Sequence, residues 1–139
     1  MVNKMPESIQ HQQLVQVLKI EVQAIVPPTC WSLIQIDTPD SLNLPPQTNE
    51  GYRPDVYYQF EKLLVIGDAK TENDVETRHS RAQYESFLNE CAGFHGQAFM
   101  IMIVPLLDQA LANNILRNLK KKIPGDYEIM VKGWIGGAL

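Results

Sequence analysis

Tyr52-Arg53-Pro54-Asp55 and, after twelve residues, Asp68-Ala69-Lys70 are the stretch on which the reading of this chain turns. Residues 55–60 and 63–69 are strand-like runs joined by Glu61-Lys62, the pattern of a tight antiparallel hairpin. With those two residues as the turn, facing positions have numbers that sum to 123, so Asp55 faces Asp68. Opposed residues share a sheet face with Cβ atoms about 4.5–5.5 Å apart. Strand alternation puts Lys70 on that face as well.

Two opposed carboxylates repel unless positive charge lies between them. A hard divalent cation, Mg²⁺ or Mn²⁺, resolves the repulsion, because it prefers oxygen ligands from one or two carboxylates plus phosphate. A neighbouring lysine orients a water or neutralises charge growing on a phosphate. Asp55, Asp68 and Lys70 thus suit metal-assisted phosphodiester hydrolysis. They equally suit an exposed hairpin with a cross-strand aspartate–lysine network, and the residues alone leave both open.

Outward from the hairpin, the periodicity predicts a helix over residues 6–25, with Leu14, Val15, Leu18, Val22, Ile25 and Val26 on one stripe. Pro27-Pro28 ends it. Residues 31–36 read as a short strand and residues 37–54 as a long proline-bearing loop. After the hairpin, Asn73 with Glu76 predicts a capping box. The helix behind it runs to about residue 92, carries Tyr84, Phe87, Leu88 and Cys91 on its apolar face, and stops at Gly93. Residues 98–104, continuously apolar, read as a strand buried on both faces. A third helix over residues 106–121 and a last strand over residues 127–134 follow. The order is helix, three strands, helix, strand, helix, strand: an α/β protein with one mixed sheet flanked by helices.

The length, 139 residues, suits one domain over 1–139. A formal charge of −4 disfavours tight, sequence-independent electrostatic binding of nucleic acid. The imbalance is uneven: residues 111–139 hold five basic and two acidic residues, the rest seven and fourteen. Gly133, Gly136 and Gly137 around Trp134 read as a flexible end near an interface. Cys30 and Cys91 lack the spacing of a disulfide framework or zinc knuckle and read as buried thiols. No secretory signal and no apolar run of membrane-spanning length stands out, which places the chain in the cytoplasm without a membrane partner.

Arg53-Pro54-Asp55 with Ile66-Gly67-Asp68-Ala69-Lys70 resembles the PD-(D/E)XK nuclease superfamily, the restriction-endonuclease-like fold. The resemblance covers about two-thirds of the chain, from the first helix through the 98–104 strand, and shares the element order. It implies a Mg²⁺-dependent deoxyribonuclease, with Asp55 and Asp68 as metal ligands and the Ala69 carbonyl as a further one. Lys70 would be the catalytic lysine, and the products a 5′-phosphate and a 3′-hydroxyl. Many members add a glutamate from the first helix; Glu21 is the candidate, or else an exposed surface residue. Some carry a glutamine followed four residues later by tyrosine, where this chain has Gln83 and Phe87.

Gln83 borders the buried face of the second helix, and with Arg78 and Arg81 on its solvated side it is a candidate nucleic-acid contact. Arg81 equally suits a helix pair with Glu85. His11 and His95 show no ligand-like partners and read as ordinary residues. DNA is the expected substrate and a homodimer the expected form, since cutting both strands takes two sites. The rival reading is a nuclease-fold subunit that binds or assembles within a larger nucleic-acid-processing complex.

Overall fold

A computed structural model of the chain describes residues 8–136. The start of the first expected helix and Gly137 lie outside the described residues. Helix α1 spans Ile9–Gln23, and the Ser8 side chain caps it by accepting the His11 N–H. Its apolar stripe, Leu14, Val15, Leu18 and Val22, is wholly buried.

Strand β1 (Gln35–Ile36) precedes the hairpin of β2 (Val56–Phe60) and β3 (Leu63–Ala69). Helix α2 (Arg78–Ala92) leads to β4 (Gln97–Pro105), then helix α3 (Gln109–Lys122) and β5 (Tyr127–Trp134). The five strands form one open mixed sheet in the order β1-β2-β3-β4-β5. The first two pairings are antiparallel and the last two parallel. The chain is therefore α/β, in the element order expected.

Residues of β3 and β4 alternate between two cores. Val65, Ala69, Ile101 and Ile103 pack under α1 with Val56 and Tyr58 of β2. Leu64, Ile66, Met100 and Met102 pack on the other side against Tyr84, Phe87 and Leu88 of α2 and Ile115 and Leu116 of α3. Burial on both faces explains why β4 is continuously apolar. Each such side chain stabilises the fold by roughly 1.5–3 kcal/mol.

Three local expectations are corrected. Residues 31–36 are not a full strand, because Pro28–Leu33 coils into a 3₁₀ turn and only Gln35–Ile36 pairs. In that turn the Trp31 indole N–H donates to the Val26 and Gln23 carbonyls at 2.9 and 3.2 Å. It thus satisfies orphan acceptors at the end of α1. Asn73 does not cap α2; Thr77 does, accepting the Ser80 N–H at 3.0 Å. Val75 is fully buried and its carbonyl accepts the Tyr84 hydroxyl, which pins the chain before the helix begins. Gly133 is not a flexible end but a β5 residue, where a Cβ would sit 2.8 Å from the Leu106 backbone. Of the cysteines, Cys91 is buried and Cys30 only half-buried. No helix among the described residues is long and apolar enough to cross a membrane.

Candidate functional site

The hairpin carries the site, and its register follows the sum of 123 from Val56↔Gly67 to Phe60↔Leu63. The ladder stops one pair short of Asp55 and Asp68. There the Asp55 N–H donates to the Gly67 carbonyl at 3.0 Å, and the Asp55 carbonyl accepts from Asp37 at 2.8 Å. The Asp55 side chain reaches past Asp68, and its Oδ2 accepts the Ala69 N–H at 2.8 Å. The Ala69 amide thereby ties Asp55 to β3.

Gly67 lets α1 approach this end of the hairpin, since a Cβ there would lie 2.8 Å from the Leu18 side chain. Asp68 alternates to the opposite face and is buried beneath α2. Lys70 Nζ lies 3.3 Å from Asp68 Oδ2 and donates to Gln83 Oε1 of α2. The Lys70 backbone is fixed too, its N–H on the Ile103 carbonyl at 3.1 Å. Asp55, Asp68, Lys70 and Gln83 are therefore together at one end of the sheet, with Gln83, at the border of the buried face of α2, accepting from the lysine.

Electrostatics divides the two carboxyls. Burial pushes Asp68 up; the Lys70 charge opposes this, the Asp55 charge adds to it, and the result is about 8. Burial also acts on Asp55, but the His11 hydrogen bond and charge, with bonds from Asp68 and the Ala69 N–H, bring it below the usual carboxylate range. The two close carboxyls are thus pushed apart, Asp68 toward keeping its proton and Asp55 toward losing it.

Asp68 Oδ2 is buried and has no hydrogen-bond partner in the structure. Its near neighbour is the Lys70 ammonium at 3.3 Å, an ion pair without a regular hydrogen bond, and a cation shared with Asp55 would complete it. The donor set suits Mg²⁺, which is held through one or two carboxylates and keeps most of its waters. Among the described residues no group of three or more His, Cys, Asp or Glu side chains gathers as a closed metal cage.

The Glu21 carboxylate pairs with Lys132 of β5 at 3.5 Å. Arg78 and Arg81 are exposed, and Arg81 pairs with Glu76 at 3.5 Å rather than with Glu85. The lysine run closing α3 is partly engaged, since Lys120 donates to the Tyr127 carbonyl at 2.6 Å.

Two residues join the site unexpectedly. His11 Nε2 lies 3.3 Å from Asp55 Oδ2, and so is not an ordinary surface histidine. The signal was present, because His11 continues the α1 stripe three and four residues before Leu14 and Val15. Asp37 lies near Asp55: burial raises its pKa and the Asp55 charge adds to this, while Arg53 and His11 oppose it. Nothing in the sequence separated Asp37 from the other loop acids. No family model, curated protein or solved structure matches this chain.

Proposed function

We propose that this chain is a metal-dependent deoxyribonuclease of the restriction-endonuclease-like type, acting in the cytoplasm. The observation that carries the reading is the buried Asp68 carboxylate, ion-paired to Lys70 at 3.3 Å and set beside Asp55. Asp55 and Asp68 would hold Mg²⁺ or Mn²⁺. When bound, the cation supplies charge stabilisation for the phosphorane-like transition state.

The remaining steps belong to the chain. Lys70, braced by Gln83, presents its ammonium to the phosphate oxygen on which charge develops and orients the attacking water. Water oxygen bonds to phosphorus and gives up a proton to solvent, the bond to the 3′-oxygen breaks, and that oxygen takes a proton from solvent to leave as the 3′-hydroxyl. Preorganised donors of this kind are worth about 10²–10³-fold each.

The deciding experiment is Mg²⁺-dependent cleavage of linear, circular, nicked and branched DNA by wild type and Asp68→Ala. Cleavage by wild type that Asp68→Ala abolishes supports the nuclease. Duplex binding without cleavage transfers the proposal to the assembly subunit. Loss of both leaves Asp55 and Asp68 as structural residues. A homodimer belongs to the proposal, and clean double-strand breaks made by a monomer in light scattering would refute that part.

A further inference from the structure

The parallel strands β3, β4 and β5 end at the same edge of the sheet, with Pro105 in register with Trp134. Ligands of open α/β sheets gather outside the carboxyl ends of such strands. Lys70 emerges at this edge, and Glu72, two residues on, begins the rim of a cleft of about 380 Å³. Pro105, Leu106, Leu107, Asp108, Trp134 and Ile135 complete its lining.

Three features mark this cleft as built. Leu107 and Ile135 are 96% and 81% exposed, so the fold makes little use of their apolar surface. Gly133 lets the Leu106 turn lie directly on β5, where a Cβ would come within 2.8 Å of Leu106. That close approach fixes one wall against the strand carrying Trp134. Asp108 stands at the N-cap of α3, yet its side chain makes no capping bond, and its carboxylate remains at the cleft.

We infer that this cleft receives an unpaired nucleobase of the strand held at Asp55, Asp68 and Lys70; the inference rests on the nuclease reading. Two carboxylates, Glu72 and Asp108, exclude phosphate by charge but accept hydrogen bonds from the amino groups of a base. An indole and three aliphatic side chains provide the apolar contact on which a base stacks or packs. Glu72 follows Lys70 by two residues in the chain, so a phosphate held at Lys70 would leave a base of the same strand toward this rim. The substrate class that follows is DNA with a single-stranded end, flap or gap, and bases with amino groups are preferred to thymine.

The test follows Trp134 fluorescence in Trp31→Phe, which leaves Trp134 as the only indole of the two in the chain. Ca²⁺ in place of Mg²⁺ keeps the carboxylates occupied while slowing cleavage during titration with a single-stranded oligonucleotide and with a blunt duplex of equal length. Quenching by the single strand, at least about tenfold tighter than by the duplex, supports the cleft. Equal quenching by both, or none, overturns it. In the unaltered chain, Leu107→Glu is expected to weaken single-strand binding about tenfold in a filter assay; unchanged binding also overturns it. Plasmid cleavage by wild type in Mg²⁺, run in parallel, judges the nuclease reading separately, because it requires no cleft.

Discussion

His11 Nε2 and Asp55 Oδ2 lie 3.3 Å apart, joining the first turns of α1 to the residue that opens the hairpin. The contact helps hold Asp55 ionised against its burial. His11→Ala is therefore expected to raise the Asp55 pKa and weaken Mg²⁺ binding by about tenfold, the lower end for an outer-sphere partner. Calorimetric titration with Mg²⁺ reads this directly; an unchanged affinity would show that the contact is only structural.

Lys70→Ala should abolish cleavage while leaving the melting temperature nearly unchanged. The side chain is mostly buried, but its loss also removes the need to shield an ammonium beneath α2. A drop in cleavage of at least about 10²-fold is expected on oligonucleotide substrate. If the variant instead unfolds, Lys70 holds the sheet together and does not serve chemistry.

Stability should depend on pH in opposite senses at the two carboxyls. Asp68 is raised from 3.8 to about 8, so the folded state binds its proton more tightly than the unfolded chain. Its contribution is complete below about pH 4 and is lost as pH rises toward 8. Asp55 is lowered, so its contribution is present above the unfolded value and is lost as pH falls through the folded one. In EDTA, thermal melts should fall between pH 5 and about pH 8, and Asp68→Asn should flatten that decline.

Saturating Mg²⁺ should raise the melting temperature most near pH 8, where Asp68 is otherwise strained by ionisation. At 100 times the dissociation constant the stabilisation is about 2.7 kcal/mol. That corresponds to roughly 5–10 °C for a chain of this size. No shift in wild type, or an equal shift in Asp68→Ala, would remove the metal from the proposal.

Gly67→Ala probes how α1 seats on the hairpin. Its Cβ would meet Leu18 Cδ1 at 2.8 Å, and Leu18 is itself fully buried. Destabilisation of about 1–3 kcal/mol by urea denaturation is expected, as for other overpacked sites. A neutral result would mean that Leu18 has room to turn away.

The elements readable from local pattern are those whose packing repeats along the chain. The Leu14–Val22 stripe, the apolar run of β4 and the tight hairpin each carry their period in a few residues. The helix start at Thr77 was not readable, because a buried Val75 and the Tyr84 hydroxyl decide it from a distance. Likewise the 3₁₀ turn at residues 28–33 depends on Trp31 finding the end of α1.

At the site the same division holds. The sequence by itself determined the hairpin register and hence the nearness of Asp55, Asp68 and Lys70, because turn length and two-residue alternation are local properties. Only the tertiary structure decided that Gln83 braces Lys70, that His11 reaches Asp55 and that Glu21 turns to Lys132. Those contacts join residues far apart in the chain, and no local period encodes how two helices settle on opposite faces of a sheet. Burial was decided there as well, and burial leaves Asp68 Oδ2 with an ion pair to Lys70 and no regular hydrogen bond.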